Sequence, residues 1–236
     1  MDVGSKINQT VGSIPMRAIW TALAITCALV PGVTKADVVY QQNASPTLYW
    51  GAQGTSWSSG QSFQNIAQDA TVDSVLFKLR KTGSTAFTGT FSVKIYAATG
   101  TANNYLPNTA SLFATSASVS GGSISNSASD VTFNGFTTNT NLVAGSVYVA
   151  VLDLASLGGL SGTDSLEIGA VSPIPDGTYA SFNWVQNAGL GFSATTDQQT
   201  YGTIQVTAIP EPGTLLLGGI AAACCGGGFY CRRKRQ

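Results

Sequence analysis

The chain has 236 residues, and its eleven Lys and Arg balance eleven Asp and Glu, with no histidine at all. Only 9% of the residues are charged, which excludes the basic footprint that nucleic-acid binding requires. The missing histidine excludes histidine-based zinc sites and histidine-dependent catalytic triads.

The neutral balance is a sum of unlike parts. Residues 1–36 carry three basic groups and one acidic, and residues 210–236 carry four basic and one acidic. Between them, residues 37–209 carry Lys78, Arg80, Lys81 and Lys94 against nine acidic groups, so the body is mildly acidic. Its length suffices for one hydrophobic core.

At the front, Met16-Arg17 precedes a 13-residue, largely apolar run, Ala18–Val30, which Pro31-Gly32 breaks. Thr34-Lys35-Ala36 then offers small residues three and one before a cut. The pattern predicts a secretory signal peptide over residues 1–36, cleaved after Ala36. Residues 1–15 are unusual ahead of such a signal, and Met16 is an alternative start. Of four cysteines, Cys27 lies in the signal and Cys224, Cys225 and Cys231 lie near the C-terminus. The body therefore uses neither a disulfide nor a cysteine metal site.

Within the body, period-two alternation predicts strands. In Val75–Arg80, Val75, Phe77 and Leu79 face one side and Lys78 and Arg80 the other; in Phe91–Tyr96, Phe91, Val93 and Ile95 face inward. Val147–Leu152 is apolar on both faces, as a strand covered on both sides would be. Further strands are expected at Val38–Gln42, Gln61–Gln64, Leu112–Val119, Val131–Phe136, Ser165–Ala170, Tyr179–Val185 and Thr203–Thr207. Ser118–Ser129 reads as a flexible loop. Turn chemistry at Thr82-Gly83-Ser84, Gly121-Gly122, Asn134-Gly135, Gly158-Gly159 and Asp176-Gly177 separates the runs. About ten short strands with intervening turns predict an all-β, antiparallel β-sandwich of jelly-roll type over residues 37–209.

Two residue classes are candidates for ligand chemistry. Tyr49, Trp50, Trp57, Tyr179, Phe182, Trp184 and Tyr201 lie near turn-rich sequence. Aromatic faces stack on sugar rings, and neighbouring amides and carboxylates read hydroxyls. Trp57, among small polar residues, is the expected exposed member, with Trp50, Trp184 and Tyr179 beside it; core packing is the competing reading for each. Asp153, Asp164, Glu167 and Asp176 form the densest acidic stretch. A glycosidase needs two carboxyl groups facing one bond, but the strand Asp164–Glu167 places its two acids on opposite faces. Calcium, satisfied by Asp and carbonyl oxygens, is the one cation left open, though no EF-hand spacing is present. No Gly-x-Ser-x-Gly elbow occurs.

The chain ends in three ordered parts: Pro210-Glu211-Pro212, an uncharged run Gly213–Cys231, and Arg232-Arg233-Lys234-Arg235 before Gln236. As a helix the 19-residue run would span ~28 Å, close to the ~30 Å hydrocarbon core, with the basic cluster as a cytoplasmic stop. The two prolines keep Glu211 in an extended, accessible stretch.

This tail resembles the PEP-CTERM sorting signal of Gram-negative bacteria. The resemblance implies recognition by an exosortase, processing near Pro210-Glu211-Pro212, and export by exopolysaccharide-making cells. The span from about Val39 to Leu154 resembles the choice-of-anchor R type of domain. It does so through Gln61-Ser62-Phe63, Val72–Leu79, Gly89–Tyr96, Leu106-Pro107, Ala110–Ala114 and Asn139–Tyr148. That resemblance implies fold and location and carries no activity. The expected function is that of a non-enzymatic surface or matrix protein, membrane-held through its tail, that contacts extracellular polysaccharide. A carbohydrate-active hydrolase or lyase using Asp/Glu, and a purely structural matrix component, are the alternatives.

Overall fold

A computed structural model describes residues 36–65, 68–102, 104–172, 184–195 and 198–209. The signal peptide and the tail, including Pro210, Glu211, Pro212 and Arg232–Arg235, lie outside the described residues, as do Tyr179 and Asp176. Among the described residues no helix is long and apolar enough to cross a membrane.

In chain order the strands are β1 (Ala36–Gln42), β2 (Leu48–Ala52), β3 (Trp57–Gln64), β4 (Ala70–Lys81), β5 (Thr88–Thr99), β6 (Leu106–Thr115), β7 (Val119–Ser120) and β8 (Ser129–Phe133). There follow β9 (Thr137–Thr138), β10 (Val147–Asp153), β11 (Leu157–Gly158), β12 (Leu166–Val171), β13 (Trp184–Ala188), β14 (Phe192–Thr195), β15 (Gln199–Thr200) and β16 (Gly202–Ala208). One sheet runs β1-β16-β4-β12-β15, with β2 beside β12 and β8 beside β4. The other runs β14-β13-β3-β10-β5-β6-β9, with β11 and β7 beside β5. Every pairing described is antiparallel. The fold is thus the expected antiparallel sandwich. Successive groups of strands alternate between the sheets, as in a jelly roll: β2, β4, β8 and β12 in one, β3, β5, β10 and β13 in the other.

The alternation seen in the sequence builds the core. Val75, Phe77 and Leu79 of β4 are buried against Phe91, Val93 and Ile95 of β5, and Phe133 makes edge contacts with both Phe77 and Phe91. A polar tether also crosses the core. Gln61 Oε1 accepts from the Thr200 N–H at 2.8 Å, the Thr200 hydroxyl donates to the Gly60 carbonyl at 3.2 Å, and the Tyr40 hydroxyl donates to the Thr200 carbonyl. Gln61, Thr200 and Tyr40 are fully buried, so each bond replaces one lost to water.

Two expectations are corrected. The strand expected at Leu112–Val119 begins six residues earlier, at Leu106, and breaks before β7. Pro107 is tolerated there because β6 pairs with β5 irregularly around it. Ser118–Ser129 is no flexible loop, since it holds β7 and a short 3-10 turn at Gly121–Ser123, and Ile124 is buried. Residues 48–52, which were not among the expected strands, form β2, whose Leu48 and Trp50 pack on the core.

Candidate functional site

The outer face of the nine-stranded sheet departs from a plain sandwich. Val149 and Val151 of β10 and Val185 of β13 point away from the inter-sheet core, yet are 0%, 3% and 0% exposed. Tyr96 and Ala98 of β5, Leu106 of β6 and Phe192 of β14 cover them. Five strand spacings separate β14 from β6, ~24 Å in a flat sheet, but the two strands touch. The sheet therefore curls, and its outer face is concave. This explains why β10 is apolar on both faces.

A cleft of about 130 Å³ opens in this concavity. Lys94 and Tyr96 project into it from β5, Asp153 from the end of β10, and Thr109 from β6. Phe192, Trp57, Thr55, Ser56 and Ser58 also line it. Lys94 Nζ donates to Asp153 Oδ2 at 2.7 Å, with both side chains about 30% exposed (31% and 28%). Their positions follow from register, because Asp153 sits opposite Ser92 and Val151 opposite Lys94 on adjacent strands. The Asp153 carboxylate raises the Lys94 ammonium above its ordinary pKa against the opposing effect of burial, and burial raises the Tyr96 phenol. Phe192 is placed by the β13–β14 hairpin, whose turn is fixed by Asn187 Oδ1 accepting from the Gly189 and Gly191 N–H groups.

Trp57, expected to stand free, is half-buried at the start of β3 and packs against the inter-sheet core. It lies beside Trp50, with ring centroids 5.7 Å apart. Trp50 belongs to the core, and β13 begins at Trp184, whose backbone pairs with Gln61. Lys94, Tyr96, Thr109 and Phe192 were not expected at a site. Their signal was present in the β5 alternation, which sends Lys94 and Tyr96 to the face opposite Ile95.

The described carboxylates separate rather than converge. Asp153 pairs with Lys94 on the nine-stranded sheet. Glu167 pairs with Arg80 on the outer face of the other sheet, where Arg80 also stacks on Tyr49, with its guanidinium carbon 3.8 Å from the ring centre. Lys78 pairs with Asp130 on that same face and lies 4.5 Å over the Tyr201 ring. Asp164 is only 7% exposed. It accepts from the Thr85 N–H at 2.9 Å and from the hydroxyls of Ser161, Thr85 and Thr163 at 2.9, 3.0 and 3.2 Å. These bonds, led by that from the Thr85 backbone, lower its carboxyl to about 2. Among the described residues no group of His, Cys, Asp and Glu is placed to hold a metal ion.

Residues 208–235 match the PEP-CTERM protein-sorting motif. None of the curated proteins matches the chain. Among solved structures, it is similar at 12% identity and a TM-score of 0.49 to a clostridial cysteine protease, Cwp84, after propeptide cleavage, covering 74% of this chain and 40% of that one. It is similar at 15% identity and the same TM-score, 0.49, to the cysteine protease and lectin-like domains of Cwp84, a surface layer associated protein of Clostridium difficile, covering 76% of this chain and 37% of that one. The chain therefore spans about two fifths of the structures it matches. A PEP-CTERM motif implies an exported, cell-surface-associated protein that is processed by an exosortase.

Proposed function

We propose that the body is a non-enzymatic surface or matrix module that contacts extracellular polysaccharide through the concave face of its nine-stranded sheet. The observation that carries this reading is the cleft itself, where aromatic walls stand beside hydroxyls and an ion pair that offers both donors and acceptors. The separation of Asp153, Glu167 and Asp164, each engaged by its own partners, supports a binding role over glycoside hydrolysis. The likeness of residues 39–154 to a choice-of-anchor domain belongs to the same reading. So do membrane holding by the tail, processing near Pro210-Glu211-Pro212, and release of a mature chain beginning at Asp37.

The test uses the full chain solubilised in detergent, passed over immobilised exopolysaccharides. Retention, weakened by Trp57→Ala, is expected. Absence of retention on every polysaccharide would leave a purely structural matrix component. Release of reducing sugar that disappears in Asp153→Asn would replace the binding role with a hydrolase. Intact-mass measurement of the exported protein tests sorting, and a C-terminus still at Gln236 in every fraction would contradict processing.

A further inference from the structure

The size and charge of the cleft narrow what it can hold. Pockets that bury a drug-sized ligand run from roughly 300 to 1,000 Å³. At about 130 Å³ this cleft has room for one sugar ring and no run of several. Lys94 is engaged by Asp153 at 2.7 Å, and their charges cancel. Being partly exposed, the pair still offers spare N–H donors and carboxylate lone pairs side by side. Adjacent ring hydroxyls, each both donor and acceptor, match that offer without breaking it. A uronate would not: its carboxylate would have to draw Lys94 away from Asp153 and leave two carboxylates facing each other. The surrounding body, with four basic groups against nine acidic, repels anions further. Tyr96 and Phe192, which line the cleft with Trp57, suit the C–H side of a ring.

We infer that the cleft recognises one neutral sugar residue, at a chain end or side branch, with Lys94 and Asp153 reading its hydroxyls and Phe192 and Tyr96 lying against its C–H face. This rests on the polysaccharide-binding reading above and specifies its ligand.

Saturation-transfer NMR and tryptophan fluorescence on the full chain in detergent would be measured with methyl glycosides of glucose, galactose, mannose and N-acetylglucosamine, and with methyl glucuronide and methyl galacturonide. At least one neutral glycoside is expected to bind, and the uronides about tenfold or more weakly. Asp153→Asn and Phe192→Ala should each weaken the neutral ligand, the first by about tenfold. Tyr201→Phe, on the opposite sheet, should not. A thermal melt of each variant separates lost binding from lost fold, and Thr109→Val, on the cleft's β6 side, provides a second polar probe. Uronides binding as well as neutral sugars, or a neutral ligand indifferent to the well-folded Phe192→Ala and Thr109→Val, would overturn the inference. If no monosaccharide glycoside binds while polysaccharide retention persists, this inference fails and the broader binding reading stands. Loss of retention as well would remove both.

Discussion

Two neighbouring residues of β3 constrain the body tightly. Gly60 pairs with Val151 on one side and Val185 on the other, and a Cβ there would overlap the Ala150 carbonyl oxygen. Gly60→Ala should cost about 2–3 kcal/mol and lower Tm by roughly 5–10 °C. An unchanged thermal melt would mean that the β3–β10 spacing is looser than described. The neighbouring Gln61 is fully buried, and its side-chain oxygen is the partner of the Thr200 N–H. Gln61→Leu keeps most of the volume but strands that N–H in the core, and should cost about 1–3 kcal/mol in urea denaturation. A neutral effect would show that water reaches the site. Neither constraint was legible in the sequence, where Gln61–Gln64 reads as a strand but nothing local shows that Gly60 and Gln61 are closely packed and buried. The burial of Gln61 depends on Thr200, which lies 139 residues away.

At the scale of elements, ion pairs and loop locks hold neighbouring strands in register. Lys78–Asp130 joins β4 to β8, Arg80–Glu167 joins β4 to β12, and Lys94–Asp153 joins β5 to β10. Such partly exposed pairs contribute little stability, typically ~0–1 kcal/mol each, so their main effect is on pairing. The loop before β12 is different, because Asp164 gathers the loop after β4 through Thr85. Gly83, with φ +84, is needed beside it, since a Cβ there would overlap the Asp164 carboxylate. The Asp164 carboxyl titrates at about 2 in the fold and near 4 in an unfolded chain. As pH falls, the unfolded chain takes up the proton first. The stabilisation is therefore whole above about pH 4, and is lost as pH drops through that window to about 2. Thermal melts should show Asp164→Asn less stable than the parent at pH 6, with the gap closing by about pH 2. A gap that stayed constant across this range would exclude the carboxylate as its source. The strongly alternating β4 and β5, and β10 with its continuous apolar run, were legible. The short β7, β9, β11 and β15 were not, because two residues carry no period.

For the molecule as a whole, β16 is the keystone of the seven-stranded sheet. It lies between β1 and β4, with Ile204 and Val206 buried. Its last pairs set Ala36 opposite Thr207, and the Ile209 N–H donates to the Asp69 carbonyl at 2.8 Å. The ladder thus runs from the expected signal-cleavage site to the residue before Pro210, so both ends of the body leave from the same end of two adjacent strands. A chain stopped after Ile209 should keep the far-UV signature and protease resistance of the body. A chain stopped after Tyr201 should lose both, since β1 and β4 would each face an unpaired strand edge. Protease resistance in the shorter chain would mean that β4 and its other neighbours suffice.

The sequence by itself determined the sandwich class, its main strands and the export address, because alternation, turn residues and a terminal sorting motif are local in the chain. It also showed that β10 would be covered on both faces. What covers it was decided only in three dimensions. Phe192, Leu106 and Tyr96 meet over Val149 and Val151 because the nine-stranded sheet curls, and Lys94 and Asp153 line the cleft in that curl. Sheet curvature is the sum of many strand twists and irregular pairings, and no single stretch of sequence carries it.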